Sequence, residues 1–353
     1  MGRWVRLAAT PFVAAFLLAG MALSPLPGWG APSRPASSPL SSPAHNSRHT
    51  NPSAVLQRLK DSSDGAPLVA AAGDIACDPK NPRFAGGNGD KRACRQKQTS
   101  KLLRPADAVL ALGDTQYENG AYDKYMKSYD KTWGRYKAKT HPAIGNHEYI
   151  SGTTGYARYF GAAARGPGGT PFYYSYDIDD WHFIVLNSNC ERLPRGKGSN
   201  GCAEGSPQNM WLERDLAAHD EECSVVYAHH SRFPAGNDKG IEQMADMWTD
   251  LYRARVDVYL NGHGHSYERF ARRDAKGDFA DEGIRQFAVG TGGVNLAHFK
   301  AHRWTRTMNY SDFGVLYLTL RDGGYNWKYV SIWGTYSDGG RAPCHEADDD
   351  DRA

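Results

Sequence analysis

The 353-residue sequence has no marked excess of charge and none of the common nucleotide-binding glycine motifs. Its 42 lysines and arginines nearly balance 39 aspartates and glutamates, which gives a formal net charge of +3. A balance so close to neutral gives no reason to expect binding to nucleic acid or to a charged membrane surface. Residues 290–293 are Gly-Thr-Gly-Gly, but no lysine follows and no third glycine has the required spacing. A tight turn is therefore predicted there. The sequence also has no internal repeat.

An apolar stretch begins the chain, and it is too short and too interrupted to favour a membrane span. Arg3 and Arg6 precede this stretch, residues 7–23, and small residues follow it. The pattern is typical of a secretory signal peptide, which we place at residues 1–30. A membrane anchor is the alternative, but Pro11 interrupts a stretch already short of the about 20 residues that a span needs. No adjacent arginine pair precedes it, which favours the general secretory route over the twin-arginine route. The sequence thus predicts a secreted protein without stable membrane insertion after cleavage.

Large apolar residues are scarce at both ends of the remaining chain. Residues 31–53 are rich in serine and proline, so they cannot bury a core and are predicted to be a disordered linker. Residues 346–353 include four consecutive aspartates and are predicted to be a flexible, solvated acidic tail. A single domain is predicted between them, at residues 54–345. Its length is within the range of one α/β domain with two sheets.

The chain has six cysteines. In an exported protein an even number indicates disulfides, although six cysteines allow roughly 15 sets of pairings. Pairing of sequence neighbours would close two short loops, and the last pair would then fix the C-terminal end to a strand. The expected disulfides are Cys77–Cys94, Cys190–Cys202 and Cys223–Cys344. A catalytic thiol is disfavoured, because all six cysteines of an exported chain can pair in disulfides.

Short apolar runs alternate with helical patterns throughout the predicted domain. Some runs are apolar along their whole length, which predicts strands buried on both faces. They are residues 67–72, 108–112, 224–227 and 256–260. Helical patterns occur at residues 93–103, 122–136, 207–219 and 241–256. Other runs alternate aromatic or branched residues with polar ones, which predicts antiparallel strands packed on one face. They are residues 172–178, 181–187, 313–320 and 327–333. Together, these predicted strands and helices indicate an α/β fold with two facing sheets flanked by helices.

Residue types that bind metal ions occur in five short segments at the ends of strand-like runs. The segments are Gly73-Asp74, Gly113-Asp114-Thr115-Gln116-Tyr117, Gly145-Asn146-His147-Glu148, Val226-Tyr227-Ala228-His229 and Gly262-His263-Gly264-His265. Their polar residues follow the carboxyl ends of the runs, where α/β sheets build their sites. Carboxylates, an amide, a phenol and imidazoles suit two hard or borderline cations better than one structural zinc. The pattern therefore predicts a hydrolase with two metal ions.

The order and spelling of these segments resemble the calcineurin-like metallophosphoesterase superfamily and, within it, the purple acid phosphatase branch. The resemblance covers roughly residues 66–345. Many metallophosphoesterases have a metal-binding histidine two residues after the first aspartate, where this chain has Ala76. Purple acid phosphatases instead have a tyrosine three residues after the second aspartate, where this chain has Tyr117. The family implies an αββα sandwich of two mixed sheets flanked by helices, here without the N-terminal β-sandwich domain of the plant-like members.

The resemblance also implies a role for each polar residue of the five segments. The first metal site would consist of Asp74, Asp114, Tyr117 and His265, and the second of Asp114, Asn146, His229 and His263. A tyrosinate ligand favours Fe(III) at the first site, whereas the second would hold a divalent ion, Zn, Mn or Fe. His147 would act at the leaving group or the phosphate, and His230 would contact phosphate or merely orient its neighbour. Glu148 is expected to fix the loop or support a ligand.

The implied activity is release of inorganic phosphate from small organic phosphate monoesters. Two cations can lower the pKa of a bound water, neutralise the phosphoryl oxygens and orient an in-line attack by metal-bound hydroxide. A phosphodiesterase, a nucleotidase or a phospholipid headgroup hydrolase could use the same centre, because loops such as 151–170, 191–206 and 232–240 choose the substrate. A non-catalytic secreted binding protein is disfavoured, because the ligand residues are retained. The natural substrate, the pH optimum, the second metal and the oligomeric state stay open.

Overall fold

The computed structural model describes residues 50–165, 172–195, 200–219 and 223–345. The predicted signal peptide, most of the predicted linker and the predicted acidic tail lie outside the described residues. Helix α1 (Pro52–Asp61) has Asn51 as its N-cap, so it includes the last two residues of the predicted linker. Within the described ranges, no helix has the length and apolar character needed to cross a bilayer.

Two mixed β-sheets form the centre of the described chain. Their strands are β1 (Leu68–Ala72), β2 (Ala108–Leu112), β3 (Thr140–Ala143), β4 (Tyr174–Ile178), β5 (Trp181–Val185), β6 (Cys223–Ala228), β7 (Val258–Asn261), β8 (Tyr267–Arg273), β9 (Ile284–Val289), β10 (Thr305–Asn309), β11 (Gly314–Arg321), β12 (Gly324–Ser331) and β13 (Ser337–Pro343). The first sheet has the strand order β13-β12-β11-β1-β2-β3, and the second has the order β10-β8-β9-β7-β6-β5-β4. The helices are α1 (Pro52–Asp61), α2 (Gln96–Leu102), α3 (Tyr122–Lys127), α4 (His147–Ile150), α5 (Thr154–Phe160), α6 (Pro207–Ala218) and α7 (Ala245–Arg253). The predicted sandwich of two mixed sheets flanked by helices is confirmed.

Strand β6 shows how the sequence produces the layers. Side chains alternate between the two faces of a strand. Val225 and Tyr227 accordingly join the large core that also contains residues of the first sheet, whereas Val226 and Ala228 join a second core with α6 and α7. Both faces of β6 are therefore apolar, which explains the continuous apolar run in the sequence.

Two of the strands predicted to pack on one face are buried on both. All of β5 is buried, and so is β11 up to Leu320. β5 lies between β4 and β6, with Phe183 in the larger core and Ile184 in the second core. β11 lies between β1 and β12 and also contacts α2. The prediction was wrong because polar residues such as His182 and Thr319 are buried in these strands.

Several strands were not predicted, namely β3, β8, β9, β10 and β13. β8 has the sequence Tyr-Glu-Arg-Phe-Ala-Arg-Arg, so its charges hide the apolar alternation. β13 is largely exposed at the edge of the first sheet, and it contains two glycines and little apolar character. Hydrogen bonding to a neighbouring strand forms these elements despite weak local propensity.

The three expected disulfides are present: Cys77–Cys94, Cys190–Cys202 and Cys223–Cys344. The third joins the first residue of β6 to the residue that follows β13, so it links the second sheet to the edge of the first. The first packs in a small cluster with the predicted ligand Tyr117. Described residues contain no free cysteine.

A buried histidine joins β4, β5 and α6. His182 is 3% exposed, and its Nδ1 lies 2.7 Å from Asp177 Oδ1 while its Nε2 lies 3.1 Å from Asp215 Oδ2. Both ring nitrogens can donate only when the imidazole is protonated. Burial lowers the pKa of His182, but the hydrogen bonds to Asp215 and Asp177 outweigh burial and the net shift is upward.

We predict that this network makes the stability of the protein depend on pH. The folded-state pKa of His182 lies above the unfolded value of about 6.5, so its stabilisation is complete below that pH and is lost as the pH rises through the folded-state pKa. Urea unfolding from about pH 5.5 to about pH 8.5 should show that His182→Gln costs most stability at the acidic end. The exposed His298, changed to Gln, is the control, and a pH-independent cost at His182 would contradict the prediction.

Candidate metal centre

The five predicted segments meet at one end of the two sheets. β1, β2 and β3 run parallel in the first sheet, and β5, β6 and β7 run parallel in the second. The carboxyl ends of parallel strands lie at the same edge, where the chain turns away and side chains can converge. Asp74 follows β1, Asp114 follows β2, His229 follows β6 and His263 follows β7.

The first group of predicted ligands is closely packed around the Tyr117 hydroxyl. This oxygen lies 2.7 Å from Asp74 Oδ1, 2.9 Å from Asp114 Oδ2 and 3.1 Å from His265 Nε2. Asp74 Oδ1 is in turn 3.2 Å from His265 Nε2. Both aspartates and the tyrosine are almost completely buried.

The second group is centred on His229. Its Nε2 lies 3.1 Å from Asp114 Oδ2, 3.1 Å from Asn146 Oδ1 and 3.1 Å from His263 Nδ1. Asp114 Oδ2 therefore belongs to both groups, since it also lies beside the Tyr117 hydroxyl. All seven predicted metal ligands are brought together.

These separations fit coordination of cations. Ligand atoms roughly 2.1 Å from one ion and at right angles to each other are roughly 3.0 Å apart. The distances between neighbouring donor atoms in both groups are 2.7 to 3.2 Å. The donor types, which are carboxylate, phenol, amide and imidazole, are ligands of hard and borderline metals.

The backbone at the site is strained in a way that supports a functional role. Asp74, Asp114, His263 and His265 have φ angles of 58°, 46°, 63° and 48°, in the left-handed region that residues other than glycine rarely adopt. Such conformations cost of order 1–3 kcal/mol each and persist where the surrounding structure enforces them. Strain at four of the predicted ligands is therefore consistent with residues held for binding.

Hydrogen bonds orient the predicted ligands from behind. His229 Nδ1 lies 2.9 Å from the carbonyl oxygen of Leu112 and donates to it, which directs Nε2 at Asp114. The second oxygen of Asp74 accepts from the His263 amide at 2.8 Å, and that of Asp114 accepts from the His147 amide at 2.9 Å. Each carboxylate thus has one oxygen held by the backbone and one directed at the cluster.

The buried carboxylates of the cluster favour positive charge beside them, as the pKa values of their neighbours show. Burial would lower the pKa of His229, but the Asp114 carboxylate outweighs burial and raises it to about 10. Burial, Asp114 and Asp74 together raise the pKa of Tyr117 well above its usual value. Bound cations would lower the pKa of both His229 and Tyr117, because positive charge favours deprotonated ligands.

Glu148 fixes two of the ligand loops. Its buried carboxylate accepts from the amides of Gly145, Asp114, Thr115 and Gln116 at 2.8 to 3.2 Å. Two hydroxyl groups, those of Thr115 and Tyr125, also lie within hydrogen-bonding distance of its Oε1. The carboxylate therefore holds the loop after β2 against the loop after β3, which agrees with the expectation that it fixes the loop.

Close approach of the backbone also shapes the site. A Cβ atom at Gly145 would lie 2.1 Å from Asp114 Oδ1, and one at Gly290 would lie 2.8 Å from Asp74 Oδ2. Real Cβ atoms do not come so close, so only glycine fits at either position. Gly290 is the first residue of the Gly-Thr-Gly-Gly segment. This segment therefore lies against the site, although it does not match a nucleotide-binding glycine motif.

The two predicted catalytic histidines lie beside the ligand cluster. His147 Nδ1 is 2.6 Å from the Glu118 carbonyl oxygen, and its Nε2 is 3.8 Å from Asp114 Oδ2. The His230 ring lies 4.4 Å from the His263 ring between centroids. A surface pocket adjoins this side of the cluster. It is lined by Asn146, Ser188, Asn189, Cys190, Glu191, Arg192, His230, Ile241 and Gln243.

Two supporting residues were not identified from the sequence. Ser188 Oγ lies 2.9 Å from both the backbone amide and the Nδ1 of His230. The Gln116 side chain donates to the carbonyl oxygens of Cys77 and Tyr117 and accepts from the Tyr129 amide, so it joins three loops around Tyr117. No sequence signal distinguishes Ser188 from other loop serines, whereas the position of Gln116 within the second segment could have indicated it.

We predict that Glu148→Gln weakens metal binding by about 10- to 100-fold, because the amide NH₂ would face backbone N–H groups and the ligand loops would separate. Titration with a buffered divalent metal measures the affinity. Glu213→Gln, on the exposed side of α6, removes the same charge and should leave the affinity unchanged. Equal affinity of the Glu148 variant and the wild type would show that the carboxylate does not position the ligands.

Comparison with known proteins agrees with this geometry. The calcineurin-like phosphoesterase family matches residues 68–267. "Probable purple acid phosphatase 20" of Arabidopsis thaliana is 34% identical over 108 residues, which are 28% of this chain and 23% of that protein. "Probable inactive purple acid phosphatase 1" of the same plant is 26% identical over 272 residues, with 64% of this chain and 41% of that protein covered.

A solved structure shows the same fold. Purple acid phosphatase PPD1 from yellow lupin (Lupinus luteus) seeds superposes with a TM-score of 0.58 and 21% identity, covering 79% of this chain and 54% of that chain. The chain spans less than half the length of these two curated relatives. The family match nevertheless extends over more than half of the chain, from β1 into β8. The protein belongs to the calcineurin-like phosphoesterase family, in its purple acid phosphatase-like branch.

Proposed function

We propose that the protein is a secreted phosphatase with two metal ions that hydrolyses small organic phosphate monoesters. The observation that supports this most strongly is the position of Asp114 Oδ2, which lies 2.9 Å from the Tyr117 hydroxyl and 3.1 Å from His229 Nε2. One oxygen shared by two groups of ligand atoms is the arrangement that a pair of bridged cations needs.

The residues present fit Fe(III) in the first group and a divalent ion, Zn, Mn or Fe, in the second. The first group offers the Asp74 and Asp114 carboxylates, the Tyr117 phenol and the His265 imidazole, and a phenolate favours the oxidised ion. The second offers Asp114, Asn146, His229 and His263. When bound, the two cations supply charge neutralisation of the phosphoryl group and activation of the attacking water.

His147 is the proposed proton donor to the leaving group. Its Nδ1 donates to the Glu118 carbonyl oxygen, which fixes the ring and leaves Nε2 toward the cluster. The side chain is 23% exposed, so a substrate can approach Nε2 from solvent. A proton held at Nε2 can pass to the departing oxygen as the P–O bond breaks.

His230 is the proposed hydrogen-bond donor to the phosphoryl group. Ser188 Oγ accepts from the His230 backbone amide, so its own hydrogen is free to donate to the ring Nδ1. Burial and the neighbouring His229 and His263 lower the pKa of His230 well below its usual value, which keeps the ring neutral. A neutral ring that accepts at Nδ1 carries its hydrogen at Nε2 and can donate there to phosphate.

The ligand set supports catalysis and not a role as a binding protein only. One relative has the word "inactive" in its name, but this chain has a suitable donor atom at every predicted ligand position, and these atoms converge. In a protein without catalytic activity, two buried carboxylates beside a buried phenol would cost free energy and bring no benefit, because removing charge from water is costly.

Export is proposed from two features. Three disulfides join the described residues, and such bonds persist in oxidising compartments outside the cytoplasm. The predicted signal peptide, residues 1–30, agrees with this location and lies outside the described residues.

Replacement of Tyr117 by Phe tests the metals. We expect the purified, metal-replete protein to show a purple tyrosinate-to-iron(III) absorption band that disappears in Tyr117→Phe, because the variant lacks the phenolate. Visible absorption spectra and metal analysis of both proteins provide the measurement. If the wild type is colourless but binds two metals and has phosphatase activity, the centre holds two divalent ions and no iron(III)-tyrosinate. A colourless wild type without two metals would contradict the metal centre.

Replacement of His147 by Asn tests the proton donor and the substrate class together. We expect kcat/KM to fall about 100-fold or more for an alkyl phosphate monoester and much less for a nitrophenyl monoester, whose leaving group needs no proton. Release of inorganic phosphate is measured for both substrates, and release of nitrophenol is measured for a bis-nitrophenyl diester.

The exposed His298, changed to Asn, is the control and should leave both monoester rates unchanged. An equal loss of kcat/KM for both monoesters would show that His147 does not donate the proton to the leaving group. A wild type that cleaves the diester faster than either monoester would identify a phosphodiesterase on the same metal centre.

A further inference from the structure

Four arginines from four different strands line one surface pocket far from the metal centre. They are Arg272 on β8, Arg285 on β9, Arg306 on β10 and Arg341 on β13. β8 begins two residues after the predicted ligand His265, and Arg272 is seven residues beyond that histidine, about 20 Å along an extended strand. The pocket therefore lies at the opposite end of the second sheet from the metal centre.

The first unusual feature of the pocket is a pair of like charges placed directly opposite each other. Arg272 and Arg285 are cross-strand partners in the antiparallel pairing of β8 and β9. Like charges in this position destabilise a sheet. Within the described residues, no carboxylate oxygen lies within 4.0 Å of any of the four guanidinium groups. The repulsion is therefore not compensated by an ion pair in the described chain.

A neighbouring arginine, Arg269, is paired with a carboxylate, as largely buried arginines usually are. Arg269, on the same strand β8, makes two hydrogen bonds with Asp338, from Nε at 2.8 Å and from Nη2 at 3.0 Å. This is the paired geometry in which guanidinium groups usually bind carboxylates. The arginines of the pocket lack such a partner although they come from the same region of the sheet.

The second feature is unused hydrogen-bonding capacity. Arg272 donates to the carbonyl oxygens of Asp281 at 2.8 Å and Pro343 at 3.0 Å, which fixes its guanidinium group. The Nε atoms of Arg272 and Arg285 are buried and have no hydrogen-bond acceptor. These Nε atoms are shielded from solvent, so an incoming anion would meet the Nη atoms, each of which has two N–H donors. Carbonyl oxygens accept one hydrogen bond from each of Arg272 Nη1, Arg272 Nη2 and Arg285 Nη1, so further donors remain for an incoming acceptor.

The two remaining arginines complete a basic ring. Arg306 lies where the pairing of β10 with β8 shifts register, and such irregularities redirect side chains. Arg341 comes from β13 of the first sheet, so both sheets contribute to the pocket. Asp281 and Glu282 also line the pocket and are exposed, so four cationic and two anionic side chains leave an excess of positive charge.

We propose that this arginine pocket is a binding site for an oxyanion, specifically the phosphate group of a soluble anion, separate from the metal centre. Guanidinium groups bind phosphate by parallel N–H···O hydrogen bonds, and a phosphate would accept from Arg272 and Arg285 while screening their repulsion. The aspartates 348–351 lie outside the described residues and are a second source of oxyanions, which the experiment must separate from an external ligand.

The test uses the full, metal-loaded protein labelled with ¹⁵N-arginine and titrated with inorganic phosphate at constant ionic strength. We expect the Nε–H signals of Arg272 and Arg285, assigned with single Arg→Lys variants, to shift saturably. The signal of Arg269, already paired with Asp338, should not move. Phosphate bound at the metal centre should not shift the Nε–H signals of Arg272 and Arg285, because no arginine belongs to the predicted ligands. Arg341→Gln should weaken the saturation about tenfold, whereas Arg253→Gln on α7 removes the same charge elsewhere and should not.

Two results would overturn the proposal. Absence of a saturable shift at Arg272 and Arg285 would show that phosphate does not bind there. The titration is repeated with a chain that ends at His345. Shifts that appear only in this shortened chain would show that carboxylates of residues 346–353 fill the pocket, and not an external phosphate.

Discussion

The meeting of two buried carboxylates with a phenol and three imidazoles is the constraint on which the rest of the structure depends. Asp74 and Asp114 are at most 1% exposed, and Tyr117 lies within 2.9 Å of both. Charge removed from water at this density is costly unless it is paired or coordinates metal. Much of the surrounding fold can be understood as the means of holding these side chains in place.

The two sheets share this task. The first supplies Asp74 and Asp114, the second supplies His229 and His263, and the Asp74 carboxylate accepts a hydrogen bond from the His263 amide between them. Glu148 fixes the loops of the first sheet to each other through several backbone amides. The sandwich and the site are therefore mutually dependent, because each group combines residues from both sheets and separation of the sheets would part the predicted ligands within each group.

The second sheet has a different character at each end. β8 and β9 meet the predicted ligand His265 and Gly290 at one end, where acidic oxygens and imidazoles converge. At the other end the same strands hold Arg272 and Arg285 opposite each other without a carboxylate partner. The two ends of these strands therefore differ in charge, and they lie about 20 Å apart along β8.

The sequence alone indicated the two facing sheets and the cluster of predicted ligands, because apolar runs and the polar residues that follow them are local features of the chain. Two of the expected disulfides close loops of 17 and 12 residues, whereas Cys223–Cys344 spans 121 residues and was expected only as the remaining pair. Apolar runs followed by Asp74, Asp114, His229 and His263 predict side chains at the carboxyl ends of parallel strands, whatever their exact spacing. Edge strands such as β13 and the charged strand β8 could not be predicted, because pairing with a neighbour and not local pattern forms them.

Only the tertiary structure decided the atomic relations. It identified Asp114 Oδ2 as the oxygen common to both groups, and Ser188 as the partner that orients the His230 ring. It also placed four arginines from distant parts of the sequence around one pocket. Relations of this kind join residues far apart in the sequence, such as Asp74 and His263, which are 189 positions apart. They arise from packing of the two sheets and leave no periodic signal in the sequence.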